Sequence, residues 1–239
     1  MMLGALVLHV RRRIPELMDD PSLDEDRHVQ ALKGLARLNR LSRTARMFWS
    51  YLRRQPLSDP LRVLDVACGG GDVALDLACL SRASGRMARV DGCDLSPRAV
   101  RFASESARRR GVESRFFVLD ALREPFPPGY DFLITSLFLH HLDGPGVVAV
   151  LASMAASARR GILVSDLDRT SRGYLIAWVA TRTVSRSRVV HHDGPVSVQA
   201  AFRRDEITAL AGRAGLQDFT LRRAWPERIH LQWKRSNPE

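Results

Sequence analysis

The sequence predicts an α/β protein on a doubly wound, mostly parallel sheet with seven strands. Three observations carry this. Five short apolar runs alternate with amphipathic segments, the first run enters a glycine-rich turn that opens a helix, and an aspartate stands at or beside the end of each of the first three runs. The predicted strands are 61–66, 89–94, 114–119, 131–136 and 161–166, and 219–224 with 229–234 read as a closing antiparallel hairpin.

Ahead of the sheet, residues 14–54 read as helical, with an acidic turn at 19–26 and an apolar rhythm through Leu32, Leu35, Leu38 and Leu41. The expected organisation is an N-terminal helical cap, 1–54, followed by one α/β domain, 55–239, with an insertion at about 167–200 after the fifth strand. Within the insertion, a helix over 172–185 carries Tyr174, Leu175, Trp178 and Val179 on one face, either as a lid over a ligand or as packing on the sheet. Residues 189–198 read as a turn rich in titratable groups and centred on Gly194-Pro195. A last helix starts at Asp205-Glu206 and is stopped by Gly215.

The 239 residues suffice for one sizeable core. A net charge of +11 invites a nucleic-acid reading, yet only Lys33 and Lys234 are lysines, the arginines are scattered, and aromatics do not interleave with them. A generally basic surface is expected, and a nucleic-acid partner is not. Cys68, Cys79 and Cys93 show no C-x-x-C spacing and read as reduced core residues, with no metal set expected. The apolar opening 1–10 is too short to span a bilayer, and its arginines follow it. A cytoplasmic protein is expected, with peripheral membrane contact through Arg11–Arg13 as the alternative; oligomeric state is not readable.

The glycine turn is the most specific signal. Val63, Leu64 and Val66 make a buried strand, and Gly69 and Gly71 let a ligand approach the backbone with no Cβ between. The string lacks the G-x-G-x-x-G spacing and the G-K-[ST] ending of phosphate loops. Asp65 repels phosphate but suits the ammonium of a methionine moiety. Asp94 follows 29 residues later, at the end of the second strand, where it can accept both ribose hydroxyls. Asp120 ends the third. Helix or turn capping is the alternative role for both Asp94 and Asp120.

On these residues the chain resembles the class I S-adenosylmethionine-dependent methyltransferases, whose first motif reads acid-x-G-x-G-x-G; Ala67 stands at the first glycine. The resemblance implies a Rossmann-like fold and S-adenosylmethionine as cofactor. It places Asp65, Ala67, Gly69, Gly71, Asp94, Leu95, Asp120, Ala121 and Ser136 around that cofactor, with Asp120 at the adenine amino group and Leu95 against the ring. It also suggests that Arg40 or Arg43 reaches the methionine carboxylate, beside the plainer reading of solvated helix arginines. More softly, Pro15–Asp19, Ser136–His141 and His192–Ser197 are similar to bacterial small-molecule enzymes distantly related to the ubiquinone and menaquinone methyltransferases. Some enzymes of this look accompany type III polyketide synthases, which implies a lipophilic phenol, resorcinol or pyrone as acceptor.

The expected reaction is in-line attack by an acceptor atom on the sulfonium methyl, with oxygen favoured over carbon. The protein supplies alignment, water exclusion and a base. The segment after the fourth strand lacks the acid-or-Asn, Pro-Pro, aromatic signature of exocyclic nitrogen methylation, and no cysteine lies there for cytosine chemistry. Histidine, with an ordinary pKa near ~6.5, suits a phenol. His192 is the first choice, with Asp193 orienting it or a neighbour across the Gly194-Pro195 turn; His140, just past the fourth strand, is the second. Structural hydrogen bonds are the alternative for each. An RNA methyltransferase and a non-catalytic cofactor-binding protein are the competing functions.

Overall fold

In the computed structural model, which describes residues 8–20, 22–56 and 60–235, the expected seven-stranded sheet forms in the order β3-β2-β1-β4-β5-β7-β6. The strands are β1 (Leu61–Val66), β2 (Ala88–Asp94), β3 (Phe116–Val118), β4 (Phe132–Ser136), β5 (Gly161–Leu167), β6 (Thr220–Ala224) and β7 (Arg228–Lys234). β1 to β5 are parallel, and β7 lies antiparallel between β5 and β6. The order reverses between β2 and β4 across β1, so the glycine turn leaves the sheet at its switch point, where open α/β sheets bind ligands.

Eight α-helices occur among the described residues: α1 (Glu25–Leu41), α2 (Thr44–Leu52), α3 (Asp72–Ala83), α4 (Pro97–Arg110), α5 (Gly144–Ser157), α6 (Ser171–Val184), α7 (Arg188–Ala200) and α8 (Arg204–Arg213). Alternate residues of the central strands feed two cores. Val63, Phe132, Ile134 and Leu163 pack against Phe48 and Leu52 of α2, Ala74 and Leu77 of α3, and Ala103 of α4. Leu64, Leu133, Ile162 and Leu231 pack against Val150, Leu151 and Met154 of α5 and Leu210 of α8. This two-sided burial explains the continuous apolar runs in place of strict alternation.

The N-terminal cap is helical as expected, with Asp24 capping α1 through the Arg27 N–H. α3 runs on to Ala83, so only residues 84–87 connect it to β2. β3 is confined to Phe116–Val118 within the expected 114–119, and Asp120 starts a side-chain turn beyond it. Residues 1–7 of the apolar opening lie outside the described residues. No helix among the described residues is long and apolar enough to cross a membrane.

One expectation for the insertion is corrected. Residues 189–198 are not a turn but most of α7, with Pro195 inside it. Val189, Val190, Asp193, Val196, Ser197 and Ala200 are buried at helical spacing, and that period outweighs the local Gly-Pro signal. Pro195 has no N–H to give the His191 carbonyl, which the Arg182 guanidinium approaches at 3.4 Å instead. Gly194 serves helix packing: a Cβ there would lie 2.4 Å from Thr181 Cγ2 of α6. On α6, Leu175, Trp178 and Val179 face solvent rather than pack on the sheet, while Gly173 and Thr181 are buried.

Candidate active site

The glycine turn is held open from below. Ala67, Gly69 and Gly71 all adopt left-handed φ, of 54°, 52° and 72°. A Cβ on Gly71 would lie 2.8 Å from Ala103 and from the Phe116 ring, so glycine is required there on two counts. Asp94 ties the turn down: one carboxylate oxygen accepts the Gly69 N–H at 2.7 Å and the other the Ser96 N–H at 2.9 Å. α3 then starts with no side-chain cap, leaving first-turn N–H groups toward the turn.

Three acids converge here, and of them Asp72 is partly offset by the buried Arg228 guanidinium. Asp65 is buried, and neither of its oxygens makes a well-formed hydrogen bond. Burial, reinforced by Asp72 and Asp94, pushes its pKa well up, opposed only by the Ala74 N–H. Asp72 is pushed up to about 6 by burial, against a hydrogen bond from Asn39. Asp94 is raised by burial against its two backbone donors. A buried anionic cluster with orphaned oxygens fits a positively charged ligand such as the ammonium and sulfonium of S-adenosylmethionine. Beside it, Leu95 and Leu122 are exposed and present apolar surface at the ends of β2 and β3. Asp120 takes the capping role left open in the sequence, accepting the Leu122 N–H at 2.9 Å, with its other oxygen 3.7 Å from Arg123. Ala121 is half-buried in that turn, and Ser136, also half-buried, ends β4 beside Ser165.

The β4 end holds a second arrangement. Leu137 takes φ 55°, an uncommon left-handed conformation for leucine, and donates its N–H to the Ser165 carbonyl. That kink delivers the short helix Leu139–His141 over the carboxyl end of β5. His140 is buried there, with Nδ1 2.6 Å from Asp166 and Nε2 3.6 Å from Glu16. Burial alone would push the ring's pKa down, but Asp166 and Glu16 together raise it to about 10. Asp166 and Glu16, in turn, resist the upward push of burial and lie below their ordinary values because His140 pairs with both. Glu16, His140 and His141 each bring a ligating atom within 4.8 Å of the others, a spacing that could hold a metal ion, although the carboxylates already balance the His140 charge.

Residues 63–161 match the family described as a methyltransferase domain. The ubiquinone biosynthesis O-methyltransferase of Bordetella parapertussis is 28% identical over 163 residues, covering 67% of this chain and 64% of that protein. The demethylmenaquinone methyltransferase of Thermus thermophilus is 44% identical over 79 residues, 33% of this chain and 34% of its own. Magnesium protoporphyrin IX methyltransferase of Synechocystis PCC 6803, solved with bound SAH, superposes with a TM-score of 0.59 at 18% identity, covering 98% of this chain and 94% of that one. The chain carries a class I S-adenosylmethionine-dependent methyltransferase domain. It spans less than two thirds of the length of these curated relatives.

Within the methyltransferase domain and its cap, the sequence-predicted residues divide. Asp65, Ala67, Gly69, Gly71, Asp94 and Leu95 come together around one turn. His192 and Asp193 do not form a base on a rigid turn. They lie on α7, with the His192 side chain 44% exposed and its Nδ1 2.9 Å from Asp193. Helical backbone lets these sequence neighbours meet, where extended backbone would have parted them. Asp193 mainly anchors the N-terminal segment, accepting the Leu17 and Met18 N–H groups at 2.9 and 3.1 Å. Arg40 lies 3.7 Å from Asp76 on the surface of α3, and Arg43 starts α2. Sequence reasoning missed Asp166, Glu16 and Arg228. Arg228 is buried, donating to Thr44 Oγ1 at 2.7 Å and Asn39 Oδ1 at 3.1 Å. Glu16 lies in the Pro15–Asp19 segment already noted for its resemblance but carries no chemical signal of its own there, and Asp166 could have been singled out by the apolar run that precedes it, which ends a strand as Asp65 and Asp94 do.

Proposed function

We propose that the chain transfers a methyl group from S-adenosylmethionine to a hydroxyl oxygen of a small, hydrophobic phenol, pyrone or quinol-like acceptor. The observation that carries this is the His140–Asp166 pair: a buried imidazole just past β4, with Nδ1 held by a carboxylate and Nε2 free of any backbone partner. When bound, S-adenosylmethionine supplies an already activated sulfonium methyl. Asp65 and Asp72 would balance its positive charge, Asp94 would keep the glycine turn that carries it in place, and Leu95 would offer it an apolar face. Asp166 fixes the tautomer and orientation of His140, which receives the acceptor's proton at Nε2. Relatives named for quinone biosynthesis support an aromatic hydroxyl acceptor.

The test is a labelled-methyl screen against phenols, alkylresorcinols, pyrones, quinols and RNA. Label is expected in an aromatic hydroxyl compound, and label in RNA alone would sink the proposal. His140→Ala should lower kcat by roughly 100-fold or more and Asp166→Asn by somewhat less, with S-adenosylmethionine affinity retained in both. Full activity in the His140 variant removes it as the base.

A further inference from the structure

The stretch from Arg169 to His192 contains five arginines and no acid. α6 lies within it and packs against α1 and α7. On its open side Leu175, Trp178 and Val179, at the i, i+3, i+4 spacing of one helix face, are 62%, 46% and 44% exposed. The turn between β6 and β7 is fastened to the start of this helix. Glu227 accepts the Thr170 hydroxyl at 3.0 Å, lies 3.6 Å from Arg172 Nε, and its main-chain carbonyl accepts the Asp168 N–H at 3.0 Å. Trp225, in that turn, is 65% exposed. The acids here are already paired, Glu227 with Arg172 and Asp168 with Arg223 at 3.4 Å. Arg182, Arg186 and Arg188 are exposed, and among the described residues none of the three has an acidic partner. The Arg182 guanidinium lies 4.3 Å over the Trp178 ring and donates to the Trp178 and His191 carbonyls, so its charge is held at the rim of the apolar face. Arg188 opens α7, where the helix dipole disfavours a cation, so helix stability gives no reason for it.

We propose that α6 and the Trp225 turn form a membrane-docking surface, seated in the interface of a leaflet with anionic headgroups. Leu175, Trp178, Val179 and Trp225 enter the boundary between headgroups and acyl chains, and Arg182, Arg186 and Arg188 meet lipid phosphates. At 14 residues α6 has the length of an interfacial helix, short of what spans a bilayer. Tryptophan favours that boundary, and arginine lays its stem on apolar surface while its head stays with the phosphates. Charge decides the occupant. A second copy packed across a two-fold axis would set these arginines against their own equivalents. A neutral protein surface would strip water from three cations and pair none of them. An anionic leaflet supplies phosphates for the arginines and apolar depth for the four large side chains together. Such attachment is peripheral, reversible and weakened by salt. It holds whatever the acceptor.

The experiment sediments the full chain with vesicles of phosphatidylcholine, alone or with about one third phosphatidylglycerol, at low and high salt. The native chain should bind the mixed vesicles roughly tenfold more tightly than the neutral ones and lose that advantage as salt rises. Leu175→Gln with Trp178→Gln should weaken binding to the mixed vesicles about tenfold, with S-adenosylmethionine affinity and melting temperature unchanged. Arg186→Gln with Arg188→Gln should weaken it by a similar factor, whereas Arg108→Gln with Arg109→Gln, on α4, should do so by less than about twofold. Brominated acyl chains should quench tryptophan emission in the native chain and quench it less in the chain carrying Trp178→Phe and Trp225→Phe. Absence of vesicle binding overturns the proposal. Equal losses from the two arginine pairs also overturn it, since they mark diffuse adsorption of a basic protein. A dimer that Leu175→Gln with Trp178→Gln dissolves, without vesicle binding, gives the face to a second copy. Capture by polyglutamate but not by vesicles gives it to an acidic protein, and either result overturns the membrane assignment.

Discussion

Ala67 shows how a single methyl group departs from what the turn requires. The first glycine of the motif is replaced by alanine, yet the backbone keeps φ 54°, where a Cβ crowds the following carbonyl. Ala67→Gly relieves that crowding at some cost in unfolded-state entropy, and a net gain of ~0.5–1 kcal/mol is expected in denaturant melts. Loss of stability would mean that the Ala67 methyl has packing the turn depends on. The donor half of the site was legible because each of its residues sits at the end of an apolar run, where backbone pattern and charge can be read together. The acid-base half was not. Asp166 lies 26 residues from His140 and meets it only because β5 pairs with β4, while Glu16 arrives from a segment with no strand register at all.

At the scale of elements, most helices and all seven strands could be read from apolar period and caps. α7 could not, since Gly-Pro is a turn signal in isolation and becomes helical only when the neighbours bury its Val and Ser residues. The contact that makes the difference is Gly194 against Thr181. Gly194→Leu should cost ~1–3 kcal/mol in thermal or denaturant melts, and adding Thr181→Gly should recover part of it. A loss that the second substitution leaves untouched would place the strain elsewhere in the helix pair. The same close approach explains α6: its axis is pressed so near α7 that only small residues fit between them, and the large apolar ones are left outside.

For the whole molecule, the buried acids around the glycine turn link pH, stability and cofactor. Asp72 has its folded-state pKa raised from 3.8 to about 6, so the cofactor-free protein binds the extra proton and loses stability as pH rises from 3.8 toward 6. A cationic cofactor prefers the ionised acids, and its binding should weaken as pH falls through about 6. At pH 5, S-adenosylmethionine affinity should be roughly tenfold below its pH 8 value, and the thermal stabilisation it confers should shrink accordingly. Asp72→Asn should flatten that dependence in calorimetry. A native profile flat from pH 8 to pH 5 would exclude Asp72 from charge balance with the cofactor.

The sheet order also has a consequence for biosynthesis. Asp166 sits on β5, whose outer neighbour β7 is the last of these seven strands in chain order. While residues 168–227 are being synthesised, the main-chain groups along that edge of β5 have no strand partner, although β1 to β4 can already pair. A nascent chain thus has its glycine turn early and the β5 end that carries Asp166 covered late, with an open strand edge in the interval that invites pairing with other chains. Closing that edge with β7 ends the exposure, and the same event buries Arg228 beside Asn39 and Thr44.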